Sequence, residues 1–520
     1  MLALVLLALL APQDQTAPTD PGLLDAPGRV PIFVRMKDQL FARGGEFPAY
    51  CDEHATTPRS ALRQRALATL HERADRSFAA VAATVAELEG KGDLRDVTRF
   101  WIVNGFAAAA TKDAVQALAA LPEVAFVHRQ TEPGDGQHHV RARDRRWLEQ
   151  RAEDQARALA HLAARPAESD ALEREGTIVP WNVQRVRADK AWDAGALGQG
   201  VVVALLDTGV LPVPALLDAL WRNPQETANG KDDDGNGYVD DLLGWDFGGD
   251  TPYVVGDGPQ SHGTMCGGII AGRAGGEPRT LTGVAPRARL MVLRGMGSLR
   301  AYEYAASMGA DVLSMSYMWI RVELGSYRGV FRTAHEHLAA CGVVAVGGAG
   351  NFGRTAPEGR QIALPKDIPC VIAAAGVDEA GRVPAFSSRG PCTWDDVPFF
   401  ADYPPEQPLM KPDVTGCAAG VPVWHWKTLR NGRQAKVVAE VSADMGLVVG
   451  PQGNSFAGPH AAGVAALMLS ANRELTPWRI KALMEATCKD LGDPGRDVVY
   501  GAGLLQADAA VAAARRATVK

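Results

Sequence analysis

From residue 177 onward, short apolar segments alternate with helical patterns, and most of these segments carry few polar residues. The predicted strands cover residues 200–206, 290–293, 311–315, 343–346 and 370–375. A strand without polar alternation is buried on both faces, which is typical of a parallel sheet covered by helices. We therefore predict an α/β domain over residues 177–513, built on a parallel sheet flanked by helices.

A smaller unit precedes this domain. Predicted strands at 30–36, within 99–111 and at 124–129 alternate with predicted helices at 61–88 and 112–121. This βαββαβ order is typical of a small ferredoxin-like α+β domain, which we place at 29–130. Residues 131–176, dense in Ala, Arg and Glu, predict a charged linker of one or two exposed helices.

Composition excludes several classes of protein. The net charge of -6 leaves no basic footprint, so nucleic acid is not an expected partner. Residues 2–11 form an apolar run that is too short for the ~20 residues of a membrane span. The run resembles the core of a signal peptide, although no Lys or Arg precedes it. We predict a signal peptide over 1–11 and a secreted or extracytoplasmic protein; a hydrophobic start with no targeting role is the alternative.

Four polar residues stand at the ends of predicted elements. Asp207 follows six apolar residues, His262 opens a helix of small residues, Asn351 lies in a Gly-rich turn, and Ser455 opens a long apolar helix. A nucleophile, a base, an orienting acid and an oxyanion donor are what acyl transfer requires. Taken singly, each residue could equally be a helix cap or a turn residue.

Together these segments resemble the subtilase family of serine proteases. Asp207-Thr-Gly, His262-Gly-Thr, Gly350-Asn351 and Ser455-x-Ala-x-Pro-His460 match its motifs in the family order. The resemblance extends over about residues 181–510 and implies a secreted serine endopeptidase that acts on proteins or peptides. It implies that Ser455 is the nucleophile, His262 the general base and then acid, Asp207 its orienting partner and Asn351 the oxyanion donor. No cofactor is implied for catalysis.

The resemblance also gives the N-terminal unit a role. Its position and strand order are similar to those of the family's propeptide, an intramolecular chaperone and inhibitor. We therefore expect a self-processing zymogen that is cut between Gln130 and Thr177. The seven cysteines form no zinc pattern; three disulfides among the six outside this unit and buried free thiols are both open.

Two departures from the family pattern bear on activity. Asn454 precedes the nucleophile where the family usually has Thr, and Ser316-Tyr317-Met318 stands where Ser-Leu-Gly is usual. We expect Ser316, Tyr317 and Met318, together with Gly350, to bind substrate, with Met318 crowding the main specificity pocket. An inactive binding or scaffolding protein is the alternative class that the departures leave open.

Residues 232–241 resemble the first positions of an EF-hand loop. Oxygen-bearing side chains stand at Asp232, Asp234, Asn236 and Asp240, with Gly237 permitting a sharp turn. The bidentate Glu of such a loop is missing. We predict a structural calcium ion held by these four residues; a solvated acidic turn held by side-chain hydrogen bonds is the alternative.

Overall fold

The computed structural model describes residues 16–131, 145–164, 175–256, 261–320 and 322–519. The predicted signal peptide therefore lies outside the described residues. Within the described ranges, no helix combines the length and the apolar character that crossing a bilayer requires.

The N-terminal unit is an α+β sandwich with an antiparallel sheet. Its elements are β1 (Val30–Met36), α1 (Glu46–Glu53), α2 (Arg59–Lys91), β2 (Leu94–Phe100), β3 (Gly105–Ala110), α3 (Lys112–Ala119) and β4 (Val124–Arg129). The strand order is β2-β3-β1-β4. The predicted βαββαβ order is confirmed, with α1 as an addition that the sequence did not suggest.

Helix α4 (Arg145–Ala164) follows in the predicted linker. The expectation that this segment is exposed is wrong for one of its faces. Arg151, Gln155 and Ala158 are buried, because that face packs against the domain that follows. Its high charge misled the prediction, since the buried arginine has its own partners in the fold.

The large domain contains a seven-stranded sheet, and every pairing in it is parallel. Its first elements are α5 (Trp181–Arg185), α6 (Ala188–Asp193), β5 (Val202–Leu206), α7 (Pro214–Leu217), β6 (Gly244–Asp246), α8 (His262–Ala271), β7 (Ala274–Gly275), β8 (Thr280–Leu281), β9 (Arg289–Arg294), α9 (Leu299–Ser307) and β10 (Val312–Met315). The remaining ones are α10 (Arg328–Ala340), β11 (Val344–Gly348), β12 (Ile372–Val377), β13 (Val414–Cys417), β14 (Val423–Trp426), β15 (Lys436–Glu440), β16 (Met445–Val449), α11 (Asn454–Ala471), α12 (Pro477–Ala486) and α13 (Ala507–Arg516).

The strand order of the large sheet is β13-β12-β11-β10-β5-β9-β6. All five predicted strands lie in it, so the predicted α/β architecture is confirmed. The edge strands β6 and β13 and the small antiparallel sheet β14-β16-β15 were not predicted. These strands are short, and the small sheet mixes polar with apolar residues, so they lack the apolar signal of the central strands.

Both faces of the central sheet are buried. Val203 and Leu205 of β5 join the core that contains α8 and α11, whereas Ala204 and Leu206 join the core that contains α9 and α10. This alternation within one strand is the expected consequence of side chains that point to opposite faces.

The N-terminal unit extends the core on the α9–α10 side. The rings of Phe33 and Tyr327 lie 5.9 Å apart between centroids. Arg59 forms an ion pair of 2.7 Å with the buried Asp311. The Glu303 carboxylate accepts hydrogen bonds from the backbone N–H groups of Trp101 and Ile102 at 2.6 and 3.0 Å. The two parts are thus joined by apolar packing and by specific polar contacts.

All seven cysteines are free thiols, and four of them are buried. Of the two alternatives left by the sequence, the structure has free thiols rather than disulfides.

Candidate active site

An acid and an imidazole meet at the end of the central strand. Asp207 directly follows β5 and is buried, and His262 is the first residue of α8. The Nδ1 of His262 lies 2.7 Å from Oδ1 of Asp207. A buried carboxylate at this distance holds the ring in the tautomer that leaves Nε2 free to accept a proton.

The surroundings of His262 act on its pKa in opposite directions. Burial alone lowers the pKa, but the charge of Asp207 and the hydrogen bond to it raise the pKa of His262 well above its ordinary value. The side chain keeps 26% exposure, so the ring is open to a reactant on one side.

Ser455 is the second residue of α11, a largely apolar and buried helix that packs against strands β10 to β13. Its hydroxyl donates to the Ser316 carbonyl over 3.4 Å, while the Ser316 hydroxyl donates to the Ser455 carbonyl over 2.9 Å. Among the described residues, no hydrogen bond joins the Ser455 hydroxyl to His262. The two residues are nevertheless neighbours, because the Cys266 thiol lies 3.4 Å from the Ser455 carbonyl and 3.9 Å from His262 Nδ1.

The side chain of Asn351, an exposed residue, reaches the start of α11. The backbone N–H of Asn454 donates to Oδ1 of Asn351 over 2.8 Å. With the oxygen engaged in this way, the NH₂ of Asn351 lies beside Gly453, where an added Cβ would be 3.0 Å from Nδ2. An amide nitrogen and the N-terminal end of a buried helix can together stabilise a negative oxygen.

Asn454, the departure from the family pattern, braces this turn. Its side-chain nitrogen donates to the Gly350 carbonyl at 2.8 Å and to Oγ of Ser387 at 2.9 Å. The sequence did not single out Ser387. Asn454 thus holds Gly350, the residue next to Asn351, in place through a hydrogen bond.

Two glycines allow the elements of the site to approach closely. A Cβ on Gly263 would lie 2.1 Å from the Gly209 carbonyl oxygen, and one on Gly348 would lie 2.0 Å from the Asn454 carbonyl oxygen. Any larger residue would push α8 away from the loop after Asp207, or α11 away from β11.

The residues predicted to bind substrate contact one another and residues close to Ser455. Lys366, which is fully buried, donates to the Tyr317 carbonyl, and the Tyr317 hydroxyl lies 2.8 Å from that of Tyr302. Met318 packs over Gly350: a Cβ on this glycine would lie 3.0 Å from both Sδ and Cε of Met318. The Met318 thioether therefore lies against the turn at Gly350.

The acidic loop, residues 232–241, is held by hydrogen bonds from its backbone N–H groups to its own carboxylates. Asp232 accepts from the backbone N–H groups of Gly235, Asn236 and Gly237. The group of carboxylates close enough to share a metal ion consists of Glu226, Asp232 and Asp234, whose ligand atoms lie within 4.8 Å of one another.

Two details differ from the predicted ligand set. Asp240 accepts hydrogen bonds from the backbone of Asn229 and Gly230, so its carboxylate serves the turn rather than this group. Asn236 adjoins the group, and its amide nitrogen donates to Asp234 at 3.1 Å. Glu226, which the sequence analysis missed because it lies six residues before the motif, is buried, and its Oε2 has no hydrogen-bond partner among the described residues.

The known proteins that this chain resembles in sequence are subtilisin-like proteases. A sequence model of the subtilase family (peptidase S8) matches residues 198–503, more than half of the chain. Bacillopeptidase F of Bacillus subtilis (strain 168) is 25% identical over 485 residues, which cover 87% of this chain and 29% of that protein. Subtilisin DY of Bacillus licheniformis is 26% identical over 343 residues, which cover 64% of this chain and 98% of that protein.

Not every relative is matched along its whole length. The match to the minor extracellular protease Epr of Bacillus subtilis (strain 168), at 24% identity, covers 45% of that protein. The chain therefore spans less than half of the length of Bacillopeptidase F and of Epr. Among solved structures, fervidolysin from Fervidobacterium pennivorans, a keratinolytic enzyme related to subtilisin, shares the fold with a TM-score of 0.54. That match has 19% identity and covers 93% of this chain and 61% of the other.

Proposed function

Because the chain belongs to the subtilase family, we propose that it is a secreted serine endopeptidase that is made as a self-processing zymogen. Ser455 attacks the peptide carbonyl, His262 takes and later returns the proton, Asp207 orients His262, and Asn351 stabilises the oxyanion. The observation that carries the proposal is the 2.7 Å contact between His262 and Asp207 beside the exposed turn of Asn351 and the start of α11.

The first step requires a rotation of Ser455. Its hydroxyl donates to the Ser316 carbonyl, a weak contact of 3.4 Å. Side-chain rotamers exchange readily at half-exposed positions, so a bound substrate carbonyl can draw the hydroxyl towards Nε2 of His262. The N–H of Ser455 and the NH₂ of Asn351 then both serve the tetrahedral oxygen.

We propose that the N-terminal unit, residues 29–130, is the propeptide. Its support is the docked interface with α9 and α10, in which Phe33, Arg59 and the backbone of Trp101 each have a partner in the large domain. A unit bound in this way can template folding of the large domain and remain as an inhibitor after the cut.

Hydrolysis of casein tests the proposed function. We expect the purified protein to cleave casein and a fluorophosphonate to stop the cleavage. A folded, processed protein that neither cleaves casein nor reacts with the reagent would favour the scaffolding alternative.

The pH profile follows from the raised pKa of His262. A general base works only when it is unprotonated, so activity is present above the pKa of His262 and is lost as the pH falls through it. Because Asp207 raises this pKa, we expect kcat/KM for a peptide substrate to have its acidic midpoint above the ordinary histidine value of about 6.5. Asp207→Asn should move the midpoint down. A wild-type midpoint at or below the ordinary histidine value of about 6.5 would contradict this assignment.

We propose that Met318, with Ser316, Tyr317 and Gly350, shapes the pocket for the residue before the cut bond. The support is that the Met318 thioether lies against Gly350. Because the family pattern has a glycine in place of Met318, we expect a narrow pocket that admits a small side chain. We expect Met318→Gly to raise kcat/KM roughly tenfold for a peptide with Phe before the cut bond, and to change little for the matched Ala peptide. Equal changes for both peptides would exclude Met318 as the pocket wall.

We propose that the acidic loop holds a structural calcium ion through Glu226, Asp232 and Asp234, with the neighbouring Asn236 in support. Burial raises the pKa of Glu226, and its unpartnered Oε2 is the kind of oxygen that a hard cation accepts. No part of the hydrolytic step depends on the ion.

Thermal unfolding in the inactive Ser455→Ala background tests the calcium site without self-digestion. We expect calcium at about 100 times its Kd to stabilise the protein by about 2.7 kcal/mol, and EDTA to reverse the effect. Glu226→Gln should remove the response, while the matched change at the exposed Glu379 should keep it. A calcium response unchanged in Glu226→Gln would contradict this ligand set.

A further inference from the structure

Helix α4 lies outside the residues matched by the family model, yet it is built into the large domain. Arg151, Gln155 and Ala158 are 3%, 4% and 0% exposed. Ala158 belongs to the same hydrophobic core as α8 and α11. A linker that only tethers two domains has no need to bury an arginine.

The Arg151 guanidinium contacts Asp246, Tyr253 and Gly256 of the large domain. Its Nη1 lies 3.4 Å from Oδ2 of Asp246 and donates to the Tyr253 carbonyl at 2.9 Å, and its Nη2 donates to the Gly256 carbonyl. Asp246 is itself buried. Removing Arg151 would leave two carbonyls short of a donor and would leave the charge of Asp246 with less compensation.

The same aspartate leads to the loop that carries the catalytic acid. Oδ2 of Asp246 accepts from Nε of Arg294 at 2.8 Å, and Nη1 of Arg294 donates to the Thr208 carbonyl. The Thr208 N–H donates to the Asp207 carboxylate at 2.8 Å. The Thr208 hydroxyl accepts from the Gly263 N–H at 2.9 Å, next to His262.

A second connection runs through residues 252–256. Gln155 donates to the Pro252 carbonyl at 2.6 Å and accepts from the Val254 N–H at 3.0 Å. The Gly256 N–H donates in turn to the Val210 carbonyl at 2.7 Å, three residues after Asp207. Helix α4 is therefore connected to the loop after Asp207 by two separate series of contacts.

We infer that Arg151 is a positioning residue for the Asp207–His262 pair and that α4 is a working part of the active enzyme. The maturation cut then falls on the N-terminal side of Arg145, so that α4 stays with the large domain when the N-terminal unit leaves. This inference rests on the proposed proteolytic function and narrows the place of its cut.

The test compares Arg151→Met with Arg151→Lys and with Arg157→Met, a matched change on the same helix at a side chain that is 66% exposed. We expect Arg151→Met to lower kcat about tenfold with little change in KM, since a misplaced acid–imidazole pair slows chemistry rather than binding. Arg151→Lys should restore part of the loss, and Arg157→Met should match the wild type.

The mass of the mature wild-type chain gives an independent readout. We expect its large fragment to begin before Arg145. A fully active enzyme that lacks α4, or Arg151→Met with wild-type kcat, would overturn the inference alone. If Arg151→Met does not fold, the mass of the mature wild-type chain tests the inference, and a large fragment that begins after α4 would overturn it. A wild type that neither cleaves casein nor takes a fluorophosphonate would instead overturn the proposed function, and the inference with it.

Discussion

Ser455→Ala is expected to lower kcat for casein or a peptide substrate by about 10⁶-fold, the size of loss that removal of the nucleophile causes in subtilisin. The hydroxyl is the only part of the proposed machinery that forms the covalent intermediate. The same variant should accumulate as the unprocessed chain, because the cut that releases the N-terminal unit is proposed to be made by the same site.

Ser442→Ala is the matched control, since Ser442 is an exposed serine between β15 and β16. Its rate and processing should equal those of the wild type. A cooperative unfolding transition of the unprocessed Ser455→Ala protein would show that it is folded and that the loss is chemical. Wild-type hydrolysis by a folded Ser455→Ala protein would exclude Ser455 as the nucleophile.

Asn351→Leu is expected to lower kcat by about 10²–10³-fold, with KM nearly unchanged. Leucine has the shape of asparagine without its N–H donor, and the lost hydrogen bond exists only when the carbonyl oxygen carries charge. Steady-state kinetics on a single peptide substrate separates the two constants.

Asn351 also accepts a hydrogen bond from the Asn454 N–H, so part of the effect of Asn351→Leu could come from a displaced turn. Asn351→Asp keeps an acceptor for that N–H but removes the donor, and it should be at least as slow. Asn431→Leu, in an exposed turn, is the control for the change of side chain. An Asn351→Asp enzyme with wild-type kcat would contradict the role of Asn351.

The central architecture could be predicted from the sequence because strands that are buried on both faces consist mostly of apolar residues. Strands β5, β11 and β12 are apolar along their length, and β9 and β10 are mostly apolar, since both sheet faces are covered by helices. The polar residues that end or follow these strands and open α8 and α11 were recognisable for the same reason. Each one interrupts an apolar pattern at the edge of the sheet, which is where Asp207 and His262 meet.

Features that depend on contacts distant in the chain could not be predicted in this way. From the sequence, Arg151 is expected to be a solvent-exposed charge in a linker, because its partner Asp246 is 95 residues away. The alternating acids predicted Asp240 as a metal ligand, but backbone N–H groups of its own turn take up that carboxylate. Glu226 precedes the motif and joins the acidic group only once the chain has folded.

Mapping the fluorophosphonate adduct by mass spectrometry on the folded, processed protein tests most directly whether acid, imidazole and alcohol act as one unit. We expect one adduct, on the peptide that contains Ser455, and a strongly reduced adduct in His262→Ala. An enzyme that cleaves casein while the reagent modifies a different serine, or leaves Ser455 unmodified, would contradict the proposed catalytic site.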